Sequence, residues 1–263
     1  MAWNQDWVVY PKPRPDAKLR LFCFPYAGVG ASAFRGWADH ADPTIEVCPI
    51  QTPGRENRLR EQSISSMTEL VPRVVEAVCP LLDVPYALYG HSLGARVALE
   101  TARALRKAGL REPAHLFVGA CGAPQLGWHH PSMRELTDRE LLTEIHNRYG
   151  GTPSQIIEDP ELWPFVVPAL RADVTVLETY RYQPEPALTC PITAFYGIRD
   201  GMVTSASVGD WRHQTVGAFR CEEIDGNHFF TQPARQRLLE AIATVVEPLK
   251  NPLSTCASPG TRQ

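Results

Sequence analysis

The pentapeptide Gly90-His91-Ser92-Leu93-Gly94 lies between a short apolar run, Tyr86-Ala87-Leu88-Tyr89, and a stretch of helical periodicity beginning at Leu93. Few folds accommodate this arrangement. A serine placed where a strand turns sharply into a helix is held in a strained conformation that projects its hydroxyl beyond the end of the sheet. Strand and helix approach closely there, so the residues two before and two after the serine must be small. Gly90 and Gly94 meet that demand. The pattern G-x-S-x-G alone is common by chance, and its force comes from the strand before it and the helix after it. In this context Ser92 is a candidate nucleophile.

The rest of the chain agrees with such a sheet. Runs at 19–24, 45–50, 86–89, 115–120, 192–196 and 219–224 read as strands. Most are continuously apolar rather than alternating, as strands covered on both faces require. Amphipathic segments separate them. Ser66-Met67-Thr68-Glu69 has the form of a capping box opening a helix to about 82, with Pro72 marking a distortion or a later start. The segment 93–108 carries Val97, Leu99, Ala102 and Leu105 and stops at Gly109, a natural C-cap. Pro233 is expected at the first position of a helix containing Leu238, Leu239, Ile242 and Val246. The alternation predicts an α/β fold with a mostly parallel, doubly wound sheet.

One region breaks the pattern. Residues 124–186 contain no convincing strand. Thr137-Asp138-Arg139-Glu140 forms a second capping box ahead of Leu141, Leu142 and Ile145. Another helix is expected over 160–180, with Trp163, Phe165, Val166, Leu170, Val174 and Leu177 as its apolar positions. A helical insertion between strands is well placed to cover an active site, but the pattern equally allows helices that simply pack on the sheet. The expected organisation is a single domain over 1–249 with this insertion, followed by a disordered tail over 250–263.

Composition narrows the function classes. With 263 residues, 44% of them hydrophobic, the chain has enough material for one well-buried core. The formal net charge of −3 predicts neither a nucleic-acid nor a membrane-surface partner. The seven cysteines are dispersed, with no C-x-x-C and no Cys/His cluster at metal-ligand spacing, so no metal is expected. Cys23, Cys121 and Cys190 sit in or beside apolar stretches and read as small core residues. No basic start precedes an apolar run at the N-terminus, and no segment reaches membrane-spanning length. A cytoplasmic, monomeric protein is the expectation.

A serine hydroxyl needs a base to take its proton. In the α/β-hydrolase fold, to which the elbow and the alternation point, the chain order is Ser, then acid, then His. Of eight histidines, His228 follows the last strand and precedes the last helix, where that base belongs. His91 adjoins Ser92 and is assigned to packing. The acid is expected at Asp200, in the loop after the strand 192–196. Asp225 competes, but it stands only three residues before His228, and its other role is that of a turn residue before Gly226. An oxyanion hole needs two backbone N–H groups. One is expected from Leu93, the other from the small loop Phe24-Pro25-Tyr26-Ala27-Gly28-Val29-Gly30.

Leu21-Phe22-Cys23-Phe24-Pro25-Tyr26-Ala27-Gly28, Pro53-Gly54-Arg55, the Gly90–Gly94 elbow, Leu170-Arg171-Ala172-Asp173, Tyr196-Gly197 through Asp200, and Gly226-Asn227-His228-Phe229-Phe230 occur in this order. Together they closely resemble the type II thioesterases that accompany polyketide synthases and non-ribosomal peptide synthetases, over about 7–248. The resemblance implies a catalytic triad of Ser92, Asp200 and His228, oxyanion donors at Ala27 and Leu93, and a helical lid over 124–186. It also implies a role in hydrolysing stalled or wrongly loaded acyl groups from the phosphopantetheine arm of acyl or peptidyl carrier domains, with no cofactor of the enzyme's own. The chain departs from the family pattern at Val29 and Asn227, where glycine is usual. Other readings use the same triad: a general carboxylesterase or lipase, or an acyl-transferring or cyclising thioesterase. A silent binding module on this fold would require a lost triad member. Tyr26, Trp163, Phe165, Phe229 and Phe230 are candidate linings of an acyl pocket, although such aromatics also suit plain core. Arg55, Arg58 and Arg60 are a candidate docking patch for acidic carrier domains, the alternative being a solvated loop with one structural arginine.

Overall fold

The computed structural model describes residues 7–250, so the expected tail falls, from 251 onward, outside the described residues. Strands β1 (Leu19–Phe24), β2 (Ile45–Pro49), β3 (Tyr86–His91), β4 (His115–Gly119), β5 (Ile192–Gly197) and β6 (Phe219–Ile224) form one sheet in the order β2-β1-β3-β4-β5-β6. Every pairing between them is parallel. Ile50, expected to end the second strand, instead makes an isolated antiparallel bridge with Val8. The strand order decides where a site can form. From β1 the chain steps outward to β2, then returns to place β3 on the other side of β1. The connections leaving the carboxyl ends of β1 and β3 therefore diverge, and a crevice opens between them.

The helices are α1 (Trp37–His40), α2 (Met67–Val78), α3 (Leu93–Lys107), α4 (Asp138–Tyr149), α5 (Ser154–Glu158), α6 (Trp163–Thr179), α7 (Ser205–Gly209), α8 (Arg235–Ala243) and α9 (Glu247–Lys250). Alternate residues of each strand feed two cores. Leu19, Leu21 and Cys23 pack with Trp37 and Ala38 of α1 and with Leu238, Leu239 and Ile242 of α8. Phe22 and Phe24 pack with Leu70, Val71 and Val74 of α2 and with Ala95, Ala98 and Leu99 of α3. Burial on both faces explains why the strand sequences are apolar without alternation. Cys23, Cys121 and Cys190 are buried and free, as their apolar surroundings predict. This is the α/β-hydrolase fold. Among the described residues no helix is long and apolar enough to cross a membrane.

Local details depart from the sequence pattern in three places. Ser66 does not cap α2, because its Oγ pairs with Thr68 Oγ1 at 2.7 Å rather than with the helix backbone. The helix runs through Pro72, which lies on the solvent face, where water can satisfy the carbonyl that loses its donor. Pro233 precedes α8 rather than opening it. A turn closed by Ala234 N–H on the Phe230 carbonyl, 2.8 Å, delays the start to Arg235. By contrast, Thr137 and Glu140 form the expected reciprocal capping box, and Gly109 takes φ +73° after α3.

Between β4 and β5 the described residues contain no strand. The apolar residues of α6 and its C-terminal end divide between two cores. Val167, Leu170 and Val174 join Met133, Leu141, Leu142 and Ile145 in a small core of their own. Val176, Leu177 and Tyr180 join the core beneath the sheet's α2/α3 face. Phe165, expected inward, is 58% exposed. It stands two residues from Val167, about 200° around the helix from the buried stripe.

The two elbow glycines are set by backbone contact. A Cβ on Gly94 would lie 2.2 Å from the Phe24 carbonyl oxygen and 2.6 Å from that of Pro25. One on Gly90 would lie 2.3 Å from the Gly94 oxygen and 2.5 Å from Ala95 Cα. Gly94→Ala should therefore lower stability by about 1–3 kcal/mol, the cost typical of overpacking. Urea unfolding tests this; an unchanged midpoint would show that α3 is free to shift from β1.

Candidate active site

Ser92 occupies the turn between β3 and α3 with φ 54° and ψ −118°, and its N–H donates to the Gly119 carbonyl at 2.8 Å. A positive φ is unfavourable for a residue with a side chain and is tolerated only where surrounding structure enforces it. His228 Nε2 lies 3.0 Å from Ser92 Oγ, and His228 Nδ1 lies 2.7 Å from Asp200 Oδ2. A carboxylate can only accept, so Nδ1 carries the proton and Nε2 is left to accept from the serine hydroxyl. The His228 and Asp200 side chains are 4% and 1% exposed. The other Asp200 oxygen accepts from the N–H groups of Met202, 2.9 Å, and Val203, 3.3 Å, which fixes the carboxylate. Asp225 is not part of this relay: it is solvent-exposed and pairs with Arg199.

The loop carrying His228 is held from two sides. Asn227 Oδ1 accepts the Phe229 N–H at 3.0 Å, forming a local turn around the histidine. The departure from glycine at 227 thus supplies a side-chain clasp. Beneath the loop, His91 Nε2 donates to the His228 carbonyl at 2.7 Å, while its Nδ1 accepts from the Tyr89 hydroxyl at 3.1 Å. His91 is fully buried, and burial, reinforced by the nearby His228, pushes its pKa down to about 3. It therefore stays neutral and holds one tautomer. Sequence reasoning assigned it to packing alone; no spacing could show that its ring reaches a residue 137 positions away.

A second clasp fixes the loop after β1. Gly28, at φ +84°, donates its N–H to Asp173 Oδ2 of α6 at 2.8 Å. Arg55 binds the same carboxylate with both terminal nitrogens, one of them 3.0 Å from Asp173 Oδ1, and also donates to the Val29 carbonyl at 3.2 Å. Val29 itself does not have a positive φ, so its side chain imposes no backbone strain. This corrects the docking patch. Arg55 is 4% exposed because it neutralises Asp173; Arg58 is 7% exposed, bound to Glu61 and the Gln51 carbonyl and stacked over Trp7. Of the three arginines only Arg60 is exposed.

A family model described as a thioesterase domain matches residues 19–246. The chain belongs to the thioesterase family. It is 40% identical to the gramicidin S biosynthesis protein GrsT of Aneurinibacillus migulanus, over 89% of this chain and 91% of that one. Among solved structures it is similar to the RedJ thioesterase of the prodiginine pathway in Streptomyces coelicolor, with TM-score 0.83, 39% identity and coverage of 90% and 94%. It also resembles the type II thioesterase BorB from the borrelidin biosynthetic cluster, with TM-score 0.84, 34% identity and coverage of 92% and 98%. These likenesses agree with the resemblance carried by the sequence motifs.

In this thioesterase, Ser92 and His228 face two cavities. One, about 30 Å³, is lined by Tyr26, Ala27, Ile145, Leu170, Val174 and Phe229, among others, and is largely apolar. The other, about 170 Å³, runs past Arg96, Cys121, Trp128, His129 and Tyr149. Of the predicted pocket residues, Tyr26 and Phe229 line the first, their rings 4.9 Å apart. Trp163 and Phe230 do not line either. Trp163 donates its indole N–H to the Ile156 carbonyl within the insertion. Phe230 is fully buried under the sheet, 4.7 Å from the His91 ring. Consecutive residues leaving a turn point apart, so only one of the Phe229–Phe230 pair can face the site. Tyr149, missed in the sequence, closes α4 over His228 at 4.6 Å and borders both cavities; burial pushes its hydroxyl up to about 12.

Two outcomes test these clasps. Asp173→Asn, which leaves Arg55 buried and unpaired, should cost about 3–5 kcal/mol in denaturant unfolding; loss below 1 kcal/mol would show the pair to be incidental. For His91, the unfolded state binds a proton near pH 6.5 that the folded state refuses until about pH 3. Stability should therefore fall as pH drops below about 6.5. The slope of unfolding free energy against pH should lose about one proton in His91→Gln. An unchanged slope would refute the buried neutral assignment.

Proposed function

We propose that this thioesterase is a discrete editing enzyme that removes stalled or wrongly loaded acyl groups from the phosphopantetheine thiol of acyl or peptidyl carrier domains. The observation that carries this reading is the continuous relay Ser92 Oγ, His228, Asp200, set under a helical insertion. The similarity to a type II thioesterase from a biosynthetic cluster supports the class of substrate.

The chemistry follows from the geometry. Ser92 Oγ attacks the thioester carbonyl while its proton passes to His228 Nε2. Asp200 holds the imidazole in the accepting tautomer and stabilises the imidazolium without taking the proton. Charge developing on the carbonyl oxygen is received by the N–H groups of Leu93 and Ala27. Leu93 opens α3, where a backbone N–H has no intrahelical acceptor. Ala27 lines the apolar cavity and adjoins Gly28, which Asp173 anchors. The thiolate, whose conjugate thiol has a pKa of about 8.5 if it behaves as a cysteine thiol, departs with little acid assistance and then takes the proton from His228, which restores the neutral base. Water activated by His228 then releases the acyl group from Ser92. The insertion acts as a lid, restricting water around the acyl-serine.

Ser92→Ala should reduce kcat for carrier-bound acyl thioesters by about three orders of magnitude or more while leaving the unfolding midpoint near that of the parent. The parent enzyme should favour thioesters on carrier protein over oxygen esters of the same acyl group in kcat/KM. Preference for oxygen esters would overturn the reading in favour of a general esterase, and lactone products in favour of a cyclising enzyme.

A further inference from the structure

The larger cavity beside Ser92 contains an anomaly. Arg96 lies one helical turn beyond Ser92 on α3 and is only 6% exposed, yet its Nε and one terminal nitrogen have no hydrogen-bond partner. Among the described residues no carboxylate forms an ion pair with it. Glu100, the acid one turn further along α3, is taken by Arg103 and the Tyr180 hydroxyl. The guanidinium lies over the Tyr180 ring at 5.4 Å and against the Cys121 thiol, neither of which neutralises it. A buried cation without a counter-charge is costly unless something anionic arrives. The same cavity holds a second orphan donor, the buried indole N–H of Trp128. The two residues that carry these three unpartnered donor nitrogens thus line one space, and no Asp or Glu lines it.

We propose that Arg96, with the Trp128 indole N–H, forms an anion-recognising subsite that selects acyl groups carrying a carboxylate close to the thioester, of the malonyl class. This rests on the reading of Ser92 as the nucleophile that attacks the acyl carbon. Four residues of helix separate Arg96 from Ser92 by about 6 Å along the axis, which suits a charged group one or two carbons from the reacting carbonyl. The phosphate of a pantetheine arm lies at the far end of that arm and falls outside this range. A planar guanidinium meets a carboxylate with two parallel, charge-assisted hydrogen bonds. The smaller apolar cavity offers no comparable donor, so hydrocarbon and carboxylated acyl groups are received by different walls of one site.

The 3-methylbutanoyl group is the neutral isostere of malonyl, with an isopropyl carbon skeleton in place of the carboxylate. Ser92→Ala protein, titrated calorimetrically with the two N-acetylcysteamine thioesters, should bind the malonyl form at least about tenfold more tightly, the effect of about 1.4 kcal/mol. Adding Arg96→Met should abolish that preference, Arg96→Lys should keep part of it, and Trp128→Phe, which removes only the N–H, should reduce it. In the Ser92-containing enzyme the malonyl to 3-methylbutanoyl ratio of kcat/KM should fall about tenfold in Arg96→Met. Equal binding of the two thioesters, or an equal loss for both in Arg96→Met, would overturn the subsite and leave Arg96 a structural residue. Failure of the Ser92-containing enzyme to hydrolyse either thioester would instead overturn the nucleophile assignment, because the binding preference is read in protein that lacks Ser92.

Discussion

The first turn of α3 is pressed against the carboxyl ends of β1 and β3, and the remainder of the site depends on that contact. At Gly90 and Gly94 the neighbouring atoms are backbone, so no side-chain adjustment could admit a Cβ. The contact forces Ser92 into a positive φ, and the Ser92 N–H bond to Gly119 in β4 holds it there. Strain of this kind persists only when the surroundings over-determine it. Here they do, because the strand, its neighbour and the helix are each buried in cores that formed for other reasons. The result is a hydroxyl with a defined direction and a helix N-terminus beneath it.

Around this fixed point, buried polar clasps join segments far apart in the chain. Asp173 reaches from the insertion to the loop after β1, so α6 and the proposed oxyanion loop are tied together. His91 reaches from the elbow to the carbonyl of His228, tying that residue to the strand that leads into Ser92. Each clasp buries polar groups at a desolvation cost, and each is fully paired, the condition under which such groups specify geometry. Arg96, in the first turn of α3, is the exception: similarly buried and without a counter-charge. The contrast between satisfied and unsatisfied arginines separates those that hold the fold from the one that faces the substrate space.

The strands and the elbow were legible because they depend on near neighbours in sequence. Continuous apolar runs and Gly-x-Ser-x-Gly spacing reflect burial on both faces and close backbone approach, and both are local consequences of the sheet. The order Ser, acid, His follows from chain connectivity, but Asp200 and Asp225 both satisfy it. What separated them was the short connection from Asp225 to His228, and the structure brings Asp200 to Nδ1 while Asp225 pairs with Arg199. The insertion's helices were visible through their apolar periodicity, but not the inward or outward facing of Phe165, Trp163 and Phe230. That facing is set by which stripe the neighbouring layer covers.

By itself the sequence determined the α/β alternation, the position of the elbow serine and the residues able to complete a triad, since these rest on periodicity, small-residue spacing and loop order. Only the tertiary structure decided that Arg55 and Arg58 are internal, that His91 holds the His228 carbonyl, and that Arg96 stands without a counter-charge beside Ser92. Those roles turn on which charges meet across tens or hundreds of residues. A guanidinium reads alike in sequence whether a carboxylate, a carbonyl or an empty cavity awaits it.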